Sequence, residues 1–135
     1  MSKTPKICII DDDYIYRYTV VKKMENMRLD ANTMDFEDGE EALNYITDHL
    51  DSDTELPDVI FLDIDMPVMD GFQFLKEFDK IRHQLKKKIS IYMISSSLDP
   101  IDIDRAKRAN EICDYFVKPI KTEQLELVFT QLKAS

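Results

Sequence analysis

The segment Asp58-Val59-Ile60-Phe61-Leu62-Asp63-Ile64-Asp65 carries the architectural signal of this chain. An apolar run, Val59–Leu62, stops abruptly at an acid. Two other runs share this character: Ile7–Ile10, which ends at Asp11-Asp12-Asp13, and Ile91–Ile94, which ends at Ser95-Ser96-Ser97. Apolar runs nearly unbroken by polar residues are what strands covered on both faces look like, and they point to a parallel sheet. With two weaker runs, the predicted strands are Lys6–Ile10, Asn32–Phe36, Asp58–Leu62, Ser90–Ile94 and Ile112–Val117.

Helical periodicity fills the intervals. Tyr16, Val20, Met24 and Met27 recur at helical spacing, as do Ala42, Leu43 and Ile46, then Phe72, Leu75 and Phe78, and finally Leu125, Val128, Phe129 and Leu132. These stripes read as core. Asp13, Asp38, Asp70 and Thr122 are placed to cap the helices that come after them, and Asp99-Pro100 is a cap followed by a first-turn proline. The fourth helix, about Pro100 to Asn110, is the least apolar and therefore the most exposed, and the stretch Asp48–Pro57 reads as a polar loop. Strands alternating with helices specify a doubly wound α/β sandwich whose site lies outside the carboxyl ends of the strands.

The 135 residues predict a single domain over 1–135, and 44% hydrophobic content is enough for one core. The 18 basic residues against 27 acidic ones leave a net charge of −9, which argues against nonspecific nucleic-acid binding. Lys86-Lys87-Lys88 is the local exception and reads as a solvated loop. Lys3 and Lys6 bracket a proline and the first apolar run is short, so neither a signal peptide nor a membrane span is expected. Cys8 and Cys113 sit inside apolar runs and read as core residues. A reduced, cytoplasmic protein is expected. His49 and His83 read as surface residues.

The residues just past the strand ends carry the chemistry. Strand one ends in Asp11-Asp12-Asp13, strand three in Asp63-Ile64-Asp65, strand four in Ser95-Ser96-Ser97, and strand five runs into Lys118. Three carboxylates, a hydroxyl and an ammonium would so converge on one crevice. Adjacent carboxylates repel and raise one another's pKa, so their gathering needs a chemical reason. A divalent cation supplies one: Mg²⁺ takes oxygen ligands from one or two carboxylates and from phosphate. A carboxylate beside such an ion can attack a phosphoryl group, whose equatorial charge the cation, ammonium and hydroxyl would share.

The segments Ile9-Ile10-Asp11-Asp12-Asp13, Phe61-Leu62-Asp63-Ile64-Asp65-Met66-Pro67-Val68-Met69-Asp70-Gly71 and Tyr115-Phe116-Val117-Lys118-Pro119 resemble, in order and spacing, the defining segments of the receiver domains of response regulators. The resemblance covers nearly the whole chain. It implies a flavodoxin-like sheet of order 2-1-3-4-5 and a stand-alone, chemotaxis-regulator-like receiver of a two-component system. Asp63 resembles the phosphoacceptor, Asp12 the direct Mg²⁺ ligand and Asp11 a ligand acting through water. Asp65 resembles the position whose backbone carbonyl completes the metal shell, and Lys118 the phosphoryl-contacting lysine. The Lys118–Pro119 bond is cis in the family. Ser95 resembles the switch hydroxyl, with Ser96 open as an assignment shifted by one. Tyr115 resembles an aromatic switch that changes the face formed by helix four, strand five and helix five.

By this resemblance the chain is not a turnover enzyme. It accepts a phosphoryl group from a sensor histidine kinase or a histidine phosphotransfer protein, catalyses its own dephosphorylation, and acts on an unidentified downstream protein as a monomer or weak activation-dependent dimer. Ser95 in place of the commoner threonine, Ser96 in place of alanine or glycine, and the carboxylate of Asp65 bear on the lifetime of the phosphorylated state. Two rivals remain. One is an interaction module that never meets phosphate. The other is a haloacid-dehalogenase-type phosphatase, suggested by Asp63-Ile64-Asp65 but opposed by Met66-Pro67 and by the third-strand position.

Overall fold

The three unbroken apolar runs form the middle of a five-stranded parallel sheet. The computed structural model describes residues 4–109 and 111–134. Its elements run β1 (Lys6–Ile10), α1 (Tyr14–Asn26), β2 (Asn32–Phe36), α2 (Gly39–Asp48), β3 (Val59–Leu62), α3 (Gly71–Ile81), a short 3-10 turn (Arg82–Gln84), β4 (Ser90–Ser95), α4 (Pro100–Arg108), β5 (Asp114–Val117) and α5 (Thr122–Ala134). The strand order is β2-β1-β3-β4-β5, and every pairing is parallel.

Alternation along each strand makes two cores. Cys8, Ile10, Ile60, Leu62, Ile91 and Met93 face the layer of α2, α3 and α4. Ile7, Ile9, Val59, Phe61, Tyr92 and Ile94 face α1 and α5. Both faces are covered, so both side-chain sets must be apolar, which is why these strands lack polar punctuation. The edge strands have less to cover: β2 is mostly exposed, and β5 buries only Phe116.

Local signals position the helices. Asp13 accepts from the backbone N–H groups of Ile15 and Tyr16, Asp38 from Glu41, and Asp99 from Ile101. Asp70 forms a reciprocal capping box with Gln73. Thr122 does not cap: it is the first residue of α5, and the Lys121 carbonyl accepts from Leu125 while Gln124 reaches back to the Lys121 N–H.

Other expectations also change. Cys113 is exposed, because it precedes β5 at the edge of the sheet and no further strand covers it. Strand β5 accordingly begins at Asp114, two residues later than its apolar run, while β3 begins at Val59 and β4 extends to Ser95. The stretch after α2 is not uniformly polar, since Leu56 is fully buried. Lys87 is no freely solvated loop residue; it pairs with Asp58 at 3.0 Å and donates to the Asp53 carbonyl. Helix α4 buries only Ala106, and its expected end, Asn110, lies outside the described residues, as does Lys3.

Candidate phosphoacceptor and metal site

Three residues at the carboxyl edge extend the ladder by one step beyond a strand. The N–H of Asp11 donates to the Phe36 carbonyl, that of Asp63 to Ile10, and that of Lys118 to Ser95. Each side chain is thereby aimed from the same edge of the sheet. Gly71, at the start of α3, closes the site from below: its N–H donates to the Ile64 carbonyl, and a Cβ there would lie 2.5 Å from the Asp63 carbonyl oxygen. Only glycine permits that approach. Between them Val68, with φ 69°, is the centre of a tight turn closed by the Met69 N–H on the Pro67 carbonyl.

Among the described residues the buried polar or charged side chains are Asp11, Asp63 and Ser95, and all three sit here. Asp12 joins them from the exposed side, and carboxylate oxygens of Asp11, Asp12 and Asp63 lie within 4.8 Å of one another. Burial is the main reason the Asp63 pKa is pushed up to about 7; Asp11 raises it further, Lys118 opposes the rise, and Asp12 and Asp65 add to it. Burying a carboxylate among others is costly without a compensating cation.

Lys118 gives only part of that compensation. Its ammonium lies 2.6 Å from Asp11 Oδ2 and 3.6 Å from Asp63 Oδ2, so it pairs mainly with Asp11. The all-oxygen donor set fits a hard cation such as Mg²⁺. Asp65 is exposed and lies outside the carboxylate trio. The Lys118–Pro119 bond is cis.

Ser95 is fully buried at the end of β4, whereas Ser96 is exposed. The Ser95 Oγ accepts from the Ser97 N–H. The half-buried Tyr115 hydroxyl donates to the Ser97 carbonyl at 3.0 Å and lies close to the Ser95 side chain. The ring therefore already rests against the β4–α4 loop.

Two residues that touch this site carry no functional signal in the sequence. Arg17 donates from Nη1 to the Asp11 carbonyl and from Nε to Asp35 Oδ2 at 2.7 Å. Tyr16, read from its spacing as one member of a core stripe, places its ring 4.3 Å from the Lys118 ammonium. His49 stacks on Tyr45 and His83 is exposed; neither approaches the carboxylates.

A family model described as the response regulator receiver domain matches residues 7–130. The chain is 33% identical to the DNA-binding transcriptional regulator NtrC of Klebsiella pneumoniae, over 86% of this chain and 22% of that protein. It is 24% identical to the probable methanogenesis regulatory protein FilR2 of Methanothrix harundinacea, over 94% of this chain and 80% of that one. The chain thus spans most of FilR2 but about a fifth of NtrC. Among solved structures, the chemotaxis protein CheY4 of Vibrio cholerae aligns with a TM-score of 0.73 and 26% identity, covering 96% of this chain and 98% of that one. A two component response regulator from Cytophaga hutchinsonii aligns with a TM-score of 0.86 over 98% and 100%; at 23% identity it attests the shared fold.

Proposed function

The chain belongs to the response regulator receiver domain family, and from that premise we propose that it accepts a phosphoryl group from a phosphohistidine onto Asp63. The observation that carries this reading is the Asp63 carboxylate, 5% exposed, set between the carboxylates of Asp11 and Asp12 and the Lys118 ammonium.

Asp12 and Asp63, with the Asp65 backbone carbonyl and Asp11 through a water, are the residues that would hold Mg²⁺. When bound, the ion neutralises charge on the phosphoryl oxygens. A carboxylate oxygen of Asp63 attacks phosphorus, the P–N bond to the donor imidazole breaks, and that nitrogen keeps the electron pair. Lys118 moves from Asp11 toward a phosphoryl oxygen, and the Ser95 hydroxyl donates to another. Water later attacks phosphorus, the P–O bond to Asp63 breaks, and inorganic phosphate leaves. The chain transforms no other substrate in this scheme.

The donor is a sensor histidine kinase or a histidine phosphotransfer protein. The output is a change in the face of α4, β5 and α5, with Tyr115 as the aromatic switch, that regulates a partner protein. Movement of Ser95 withdraws the acceptor of the Ser97 N–H, which couples the site to the Tyr115 hydroxyl through Ser97. A cytoplasmic location, without nucleic-acid binding, fits this role; no helix among the described residues is long and apolar enough to cross a membrane.

Intact mass after incubation with acetyl phosphate and Mg²⁺ tests the assignment. One phosphoryl group on the parent and none on Asp63→Asn is expected. A full adduct on the variant would place the acceptor elsewhere, and an unmodified parent would leave a phosphate-independent interaction module.

A further inference from the structure

The ammonium of Lys118 is held by more than its two acids. On one side are Asp11 at 2.6 Å and Asp63 at 3.6 Å; on the other the Tyr16 ring lies 4.3 Å away, close enough for its π-face to attract the cation. The lysine side chain is left 16% exposed. A lysine at a crevice mouth ordinarily turns its ammonium out to water. Here the ammonium lies over the ring instead.

The ring is anchored at its base and buried at its tip. Tyr16 stands in the first turn of α1, and its own N–H donates to the capping carboxylate of Asp13. The next residue, Arg17, ties the same turn to the Asp11 carbonyl. The Tyr16 hydroxyl is buried beside the Ile120 backbone. Two turns on, on the same face of α1, Lys23 donates to the Ile120 carbonyl at 2.6 Å. Helix α1 therefore grips the loop between β5 and α5 twice, once through an aromatic face on Lys118 and once through a hydrogen bond just past it.

We infer that Tyr16 is a positioning residue for Lys118, its ring holding the ammonium over Asp11 and Asp63 in the geometry from which it transfers to an incoming phosphoryl oxygen. This rests on Asp63 being the phosphoacceptor. Loss of the ring lets the ammonium swing into solvent, and its return must then be repeated in each encounter with a phosphodonor.

Two measurements on the full chain test it. The first is the rate of phosphorylation by acetyl phosphate at saturating Mg²⁺, followed by intact mass. Tyr16→Leu is expected to be slower by about 3- to 30-fold, the range a desolvated cation–π contact supports. Tyr16→Phe, which keeps the ring, restores most of the rate, and trifluorophenylalanine at the same position, with its electron-poor face, loses it again. The second is denaturation of the metal-free protein in a double-mutant cycle of Tyr16→Leu and Lys118→Met, where the two substitutions are expected to be coupled.

Equal rates for the phenylalanine and trifluorophenylalanine forms, or additive effects in the cycle, overturn the inference. Those two ring forms share nearly the same shape, so they remain informative if Tyr16→Leu fails to fold. A parent that acetyl phosphate never modifies would defeat the proposed function instead, and the metal-free cycle would still decide whether Tyr16 holds Lys118.

Discussion

In the absence of metal, Asp63→Asn should abolish most of a pH-dependent instability built into the carboxyl edge of the sheet. Burial and the neighbouring acids push the Asp63 pKa from 3.8 up to about 7. A carboxyl whose folded-state pKa lies above its unfolded value favours folding while it is protonated. Its contribution is complete below the unfolded value and is lost as pH rises through about 7. At about 1.4 kcal/mol per pKa unit the whole effect is on the order of 4 kcal/mol. About 2–3 kcal/mol of it disappears between roughly pH 5 and pH 8. For a domain of this size that is a fall in Tm of roughly 8 °C.

The assay is thermal or urea denaturation in chelator at both pH values, parent beside variant. Other titrating groups contribute to both proteins, so the difference between the two slopes isolates Asp63. The parent should lose stability as pH rises and Asp63→Asn should lose much less. Mg²⁺ should restore the parent at the higher pH and help the variant less, because the ion replaces the proton as the counter-charge. Equal pH slopes in the two metal-free proteins would refute the claim that Asp63 bears the cost of this charge cluster.

Gly71→Ala places a Cβ 2.5 Å from the Asp63 carbonyl oxygen and 3.0 Å from Ile64 Cα and Met93 Cε, so it should lower stability by about 1–3 kcal/mol and slow phosphorylation of Asp63; urea denaturation and the acetyl phosphate time course check both. Arg17→Ala removes the donor to the Asp11 carbonyl and should cost about 1–2 kcal/mol while weakening the stabilisation by Mg²⁺. Arg17→Lys should recover only part of this, because one ammonium cannot reproduce the fork that reaches both Asp11 and Asp35; Mg²⁺ titrations followed by Tm distinguish the three proteins.

Much of the molecule is legible along the chain because its signals are local. Helix caps are formed within three residues, so Asp13, Asp38, Asp70 and Asp99 could be read directly. Thr122 misled because its hydroxyl is the right type at the wrong place: the carboxamide of Gln124 reaches back to the Lys121 N–H instead. Apolar runs located every strand, and their weakness at the two edges reflects the single covered face there. Cys113 shows the limit of that signal, since hydropathy cannot say whether a residue beside an edge strand meets a neighbour or water.

The carboxyl ends of four of the five strands, and the acids just past β1 and β3, are legible along the chain, because strand period and turn chemistry depend on neighbours a few residues away. How those groups share charge depends instead on contacts made across the fold. Lys118 stands near the opposite end of the chain from Asp11 yet pairs with it more closely than with Asp63, because the parallel sheet brings β1, β3 and β5 to one edge. Tyr16 changed meaning for the same reason: its spacing marks a core-facing stripe, and only the approach of the loop after β5 puts a cation on its ring. Burial and Coulomb interactions depend on distance in space, and spacing along the chain does not encode it.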